Sequence, residues 1–244
     1  MRMKKIILIS VYIYLLIGYL SVYAQKSNSG IITYNKKKDL HAGLTGEALA
    51  YKAMIPPYDE CQIVLSYKNN FVRTDEKKEA TGGVQAFSTG LSSNYIYNYT
   101  ENKYLNFVSL PLGNYIVTGD IRKENAEINK KEEKKILGYK CHKAVIKNDK
   151  RHIEVWFTDQ IPAQVSPIGN LGVPGAALEI NEISDYTTYT LASIELKEID
   201  DSLFVITDEE NKKYKKISFE KFNEMIQNFM GGGEGVKTYN SKVK

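Results

Sequence analysis

Three histidines, His41, His142 and His152, are the side chains best suited to moving protons or holding a metal in this 244-residue chain. The spacing predicts that His142 and His152 stand on the two arms of one hairpin, Tyr139–Thr158, turning at Asn148–Asp149. Across that hairpin they can approach one another, with Glu154 alongside. Zinc asks for three or four ligands, and neither H-x-x-x-H nor C-x-x-C occurs here. A metal-dependent enzyme using His142, His152 and Glu154 is thus the least favoured of the functional readings. Other chemistries fare no better. No G-x-S-x-G elbow and no phosphate-binding glycine loop is present, and carboxylates lie among lysines in runs such as "KEEKK" (Lys131–Lys135), the pattern of a solvated face. No catalytic residue, metal ligand or cofactor is assigned.

The stretch "IGNLGVPGAALEI" (Ile168–Ile180) admits both a ligand loop and a turn. Gly172 and Gly175 can take backbone angles that other residues avoid, and Pro174 fixes a dihedral between them. Anion-cradling glycine loops are followed by a helix N-terminus, whereas here a strand follows at Leu178 and Ile180. The expectation is a structural turn at Gly172, Pro174 and Gly175.

The elements around these residues read as strands. "SGIITYNKK" (Ser29–Lys37) alternates, and "CQIVLSYKNNFVRTDEK" (Cys61–Lys77) is a hairpin about Asn69–Asn70. The run from 93 to 117 breaks at Glu101–Lys103 and Pro111–Gly113. "TTYTLASIELKEI" (Thr187–Ile199) and "SLFVI" (Ser202–Ile206) complete at least eight candidate strands. The chain carries 18 tyrosines, many on these runs, as expected of a half-wet sheet face. "SFEKFNEMIQNFM" (Ser218–Met230) is the best helix, with Phe219, Phe222, Met225, Ile226 and Phe229 in one stripe. Gly43–Pro57 reads as a loop with a helical turn. Close strands and short turns argue for a mainly β protein, one curved antiparallel sheet forming an open or half barrel with a C-terminal helix.

A basic start, the apolar block Ile6–Leu20 and small residues before Ala24 make a secretory signal over residues 1–24, with cleavage between Ala24 and Gln25. The 33 Lys+Arg less Arg2, Lys4 and Lys5 leave 30 against 29 Asp+Glu, a balance that gives no reason to expect nucleic acid. After cleavage no membrane span remains. Export favours a disulfide between the two cysteines, Cys61 and Cys141, a closure worth about 4–5 kcal/mol in the chain-entropy picture. Residues 25–230 are expected to form a single domain and 231–244 a disordered tail.

"ILGYKCHKAVI" (Ile136–Ile146), "HIEVWFTDQIP" (His152–Pro162) and "GNLGVPGAALEI" together resemble the core of the GLPGLI family, small exported proteins typical of Bacteroidetes. Gly138, Tyr139 and Cys141 match one element, Trp156, Phe157 and Thr158 a second, Ile161 and Pro162 a third, and Gly172, Pro174 and Gly175 the naming loop. Val173 replaces a leucine there, and Ala176–Ala177 replace leucine–isoleucine. The resemblance implies a fold akin to lipoprotein carriers (LolA-like), no assigned reaction, and a link to outer-membrane TonB-dependent receptors. The leading expectation is a non-enzymatic envelope protein that binds such a receptor or a hydrophobic ligand, in the periplasm, at the outer membrane or outside the cell. The alternative is a periplasmic lipid or lipoprotein carrier with an apolar cavity.

Overall fold

The structure is a computed structural model and describes residues 28–77 and 94–229; the signal, its cleavage point and the tail at 231–244 lie outside them. Twelve strands form one open sheet, mainly β as the sequence predicts, and a helix follows at the C-terminal end. In chain order the strands are β1 (Ser29–Asp39), β2 (Tyr58–Lys68), β3 (Phe71–Lys77), β4 (Tyr95–Asn98), β5 (Lys103–Leu110) and β6 (Gly113–Asp120). They continue as β7 (Glu127–Ile136), β8 (Tyr139–Lys147), β9 (His152–Thr158), β10 (Ala176–Glu182), β11 (Thr187–Leu196) and β12 (Lys215–Ser218). Two helices, α1 (Asp208–Lys213) and α2 (Phe219–Phe229), lie on either side of β12 in sequence.

The order across the sheet is β12-β6-β5-β4-β3-β2-β1-β11-β10-β9-β8-β7. The first six strands form one antiparallel meander and β7 to β11 a second, and β1 and β11 join the two through nine paired positions, Gly30↔Leu196 to Lys38↔Thr187. β12 adds to the far edge, parallel to β6. The opposite edge is β7, whose sequence EINKKEEKKI presents lysine and glutamate along an open edge and carries a bulge between Asn129 and Glu133. Charge and a bulge on an edge strand discourage pairing with another chain.

Alternation along the strands divides the sheet into two faces. Register carries one face across the first meander: Tyr34↔Ile63, Ile32↔Leu65, Tyr67↔Val72, Val72↔Tyr97 and Tyr97↔Tyr104. In the second meander Ala144↔Val155 and Ile146↔Ile153 continue the buried set. The segment between β9 and β10 lies over this inner face, burying Ile161, Val165, Leu171 and Val173 in the same core. The same core cluster holds Tyr97 of β4, and a Cβ built on Gly169 would stand 3.8 Å from its ring, so this segment reaches from the second meander to the first. Tyr95, Tyr97 and Tyr99 stack along β4 with centroids 5.2 and 6.1 Å apart, a spacing within the range of favourable aromatic pairs. Farther along, α2 lays Phe222 against Val108 and Val117, the amphipathic packing its stripe predicts. Phe229, placed in that stripe, is instead 58% exposed at the helix end.

Three expectations need correction. "SLFVI" is not a strand: Asp201–Phe204 is a 3-10 turn capped by the Asp200 side chain, which accepts from the Ser202 amide. Its apolar residues serve packing instead, with Phe204 buried 5.9 Å from the Phe71 ring. The disulfide is absent, and Cys61 and Cys141 are both buried thiols. Cys61 is on β2 and Cys141 on β8, with β1, β11, β10 and β9 between them in the sheet, and Cα atoms must come within about 7 Å to bridge. The inner face, finally, is filled by tyrosine and aliphatic side chains and by the 159–175 segment, where a lipid carrier would have held an apolar cavity.

Candidate functional site

The histidines do not make a site. His142 pairs with Phe157 and His152 with Lys147, so the two stand five rungs apart along the hairpin. Side chains alternate along a strand, and an odd separation puts them on opposite faces. His142 turns toward the core, with Nδ1 3.7 Å from Glu133 Oε1 and the ring beside Phe157. The His152 amide is bound by the Ser184 hydroxyl at 3.3 Å, and the His41 ring meets the Ile55 carbonyl at 2.8 Å. Among the described residues no cluster of metal-ligating side chains occurs.

The glycine loop is held by backbone. Gly172 has φ +72°, and a Cβ there would stand 2.2 Å from the Glu124 carbonyl oxygen. Gly175, at φ +133°, would set its Cβ 2.1 Å from the Thr158 carbonyl oxygen. Pro174 stands between them in sequence. The Asn170 side chain accepts from the Gly172 amide at 3.0 Å, and the Asn170 carbonyl accepts from the Glu124 amide at 2.9 Å. The segment thus clamps the crossover 121–126 that carries the chain from β6 to the opposite edge of the sheet at β7. Glu124 is only 6% exposed and is neutralised by Arg151, which donates Nη1 to Glu124 at 3.0 Å and Nη2 to Glu182 at 2.7 Å. Burial works to lower the Arg151 pKa, and the Glu182 and Glu124 carboxylates more than reverse it.

A pocket of about 280 Å³ opens on the other face of the sheet. Its floor is the side of β3 to β6 that points away from the tyrosine core, where Ile96, Phe107 and Ile116 pack with Ile206 and Tyr214. Its wall is the segment that returns over that face and folds as α1. Thr207 and Glu210 form a reciprocal capping box at the start of α1, which ends with Tyr214 in extended conformation. Tyr214 meets Phe107 edge-on, with centroids 5.5 Å apart.

Arg73 ties floor to wall. Its Nε donates to both Asp75 oxygens at 3.2 Å, Nη1 to the Leu203 carbonyl at 3.2 Å, and Nη2 to Glu210 at 3.0 Å. One guanidinium thereby joins β3, the 3-10 turn and α1, a use that suits its planar fork. Burial works to lower the Arg73 pKa, but Asp75 and Glu210 carry it upward. For Glu210 burial raises the carboxyl; the Thr207 amide and the Arg73 guanidinium outweigh it and hold the group below the usual carboxylate range. Glu210 is accordingly an acceptor at neutral pH, not a proton donor. Asn94, Glu209 and Lys213 complete the polar rim.

None of these pocket residues stands out in the sequence, because they come from β3, β5, α1 and the turns beside them. The one readable signal is the capping box, Thr207 followed three residues later by Glu210, which marks a helix start.

The model of the family described as N-glycanase peptide, N-terminal domain, matches residues 49–221, more than half of the chain. The chain belongs to that family. The GLPGLI resemblance is thereby overturned: its four short elements are the hairpin and turn chemistry of β7 to β10, while the N-glycanase match extends over most of the sheet. With it go the non-enzymatic assignment and the TonB-linked accessory role. Two solved structures of PNGF-II, in space groups C2 and P21, share the fold. They are 17% and 16% identical, with TM-scores of 0.51 and 0.50, and each alignment covers 81% of this chain. This chain in turn covers only 32% and 33% of theirs, about a third of their length. No curated protein matches. Every pocket residue, from Arg73 to Tyr214, falls within the span that the family model matches.

Proposed function

We propose that this protein is exported and takes part in the enzymatic removal of N-linked glycans from glycoproteins. The observation that carries this reading is the match of the N-glycanase N-terminal domain family over residues 49–221. The geometry is consistent with a role in handling the glycoprotein: the outer face offers a polar, aromatic-walled pocket, while the inner face is packed. Small-molecule sites combine apolar walls with a few placed polar groups in this way.

The experiment measures release of neutral N-linked glycans from a glycoprotein by mass spectrometry. This chain is supplied alone, and also together with the portion of PNGF-II that lies outside the alignment. Faster release in the arms containing this chain than in the matched arms without it is expected. No release by the chain alone, and no change of rate in the mixed arm, overturns the reading.

A further inference from the structure

We infer that the pocket beneath α1 is a subsite for a single neutral sugar ring. This rests on the N-glycan reading above and names the ligand of the pocket described there. Three features of the pocket carry it.

The first is size. About 280 Å³ lies just below the range of roughly 300–1,000 Å³ that holds drug-sized ligands, which fits one ring and excludes a branched oligosaccharide.

The second is the pairing of ring and polar groups. A sugar presents C–H groups on one side and hydroxyls around its rim. Phe107, 5% exposed, forms the floor and Tyr214 the wall against which the C–H groups can lie. The hydroxyls then find unspent partners. Asn94 uses its Oδ1 to accept the Glu76 amide at 2.7 Å, which leaves the two Nδ2 donors for a ligand. Among the described residues the Glu209 carboxylate has no hydrogen-bond or ion-pair partner, and a carboxylate accepts from two adjacent hydroxyls. Lys213 adds a donor at the rim, its Nζ 5.3 Å from the Tyr214 centroid. Arg73 is a positioning residue, since its guanidinium is engaged by Asp75, Leu203 and Glu210.

The third is charge. Asp75, Glu209 and Glu210 face Arg73 and Lys213, so the lining carries one net negative charge. Arg73 is already neutralised by two of those carboxylates. An acidic sugar would meet Glu209 in a lining that stays one charge negative with the Lys213 ammonium counted, and a neutral one meets no such repulsion.

The test is an NMR titration of the isotope-labelled full chain with three probes. N-acetylglucosamine and methyl glucoside are neutral, and glucuronate has the same ring with a carboxylate. Saturable shifts at Asn94, Glu209 and Tyr214 with millimolar affinity are expected for the neutral sugars, and at least fivefold weaker binding for glucuronate. Glu209→Ala, an exposed change on α1, is expected to weaken the neutral sugars at least threefold while leaving the melting temperature in place. The subsite is overturned by an absence of saturable shifts at these residues. Glucuronate binding as tightly as methyl glucoside, or affinity unchanged by Glu209→Ala, overturns it equally. Glycan release is a separate readout, so an empty pocket with intact release rejects the subsite alone, whereas loss of release with a working pocket rejects the N-glycan reading.

Discussion

Replacing Gly172 by alanine isolates the contact on which the crossover clamp depends. At φ +72° any side chain is strained, at about 1–2 kcal/mol for an L-residue forced into the left-handed region. The added Cβ would also stand 2.2 Å from the Glu124 carbonyl oxygen, a backbone atom that no rotamer change can move. Forcing a carbon into such a space costs typically about 1–3 kcal/mol. Together these give about 2–5 kcal/mol. Gly138 supplies the control: it has φ +89° in the two-residue turn between β7 and β8, and a Cβ there meets nothing within 4 Å. Gly138→Ala therefore carries only the backbone strain, about 1–2 kcal/mol. The assay is urea unfolding of both variants, fitted with a common slope of roughly 1–3 kcal/mol/M. Gly172→Ala is expected to unfold at lower urea than Gly138→Ala by about half a molar or more. Equal midpoints would show that the crossover yields freely to the loop, and the clamp would have to be abandoned.

Further outcomes follow from the same contacts. Arg151→Met removes the nearer of two arginines at Glu124, leaving Arg122 Nε at 3.8 Å, and removes the cation at Glu182; it is expected to destabilise by about 3 kcal/mol in urea unfolding, since a nearly buried carboxylate loses its hydrogen-bonded partner. A loss under about 1 kcal/mol would mean that Arg122 or water takes over at Glu124. With both cysteines present as buried thiols, Ellman's reagent is expected to find no reactive thiol in the native protein and two in denaturant without reductant; zero in denaturant would restore the disulfide. The Glu210 carboxyl is depressed in the folded state, so its contribution to stability is present above the ordinary carboxylate range and disappears as pH falls through the lowered value. Glu210→Gln is expected to flatten that acid limb of the stability profile, and a limb of unchanged slope would place the acid sensitivity elsewhere.

The sheet was legible wherever one face is apolar and the other is not. Tyr34, Ile63, Leu65, Tyr67 and Val72 fall at every second position of their strands, mostly between polar residues with Val64 and Phe71 the exceptions, and all of them are buried on one face. β7 escaped because EINKKEEKKI has no apolar face to reveal a period of two; its partner on one side is β8 and on the other is solvent. β12, four residues long, is defined by its parallel pairing to β6, which no local pattern encodes. "SLFVI" misled in the opposite sense, since its strand-like composition serves Phe204 in a core and the Asp200 cap decides the backbone. The pocket was illegible for a related reason. Arg73, Phe107 and Tyr214 are separated by scores of residues, and only register places Arg73 opposite Ile96 and so on the face that carries Phe107.

The two meanders meet within the sheet only at β1 and β11, and an open sheet joined along one seam would be free to twist about it. The loop segments remove that freedom on the inner face, where Leu171 and Val173 enter the core that holds Tyr97, and Ile168 packs against it. Tyr34 Oη donates to the Ala177 carbonyl at 2.7 Å, a buried bond from β1 to the start of β10 that spans the seam. Burial, with Tyr67 nearby, pushes the Tyr34 phenol far above its ordinary value, so it remains a donor across the working pH range. The outer face is covered by the returning segment: Ile206 and Tyr214 pack on Ile96, Phe107 and Ile116, and Phe204 lies 5.9 Å from the Phe71 ring. Lys68 donates to the Ile199 carbonyl at 3.0 Å, Arg73 reaches Leu203 and Glu210, and the pocket is the space left between these ties, strand and helix. The sheet fixes Phe107 and Asn94, and Lys68, Arg73 and the Phe71–Phe204 contact fix the segment that leads into α1, so the walls of the pocket are set by rigid elements before anything enters it.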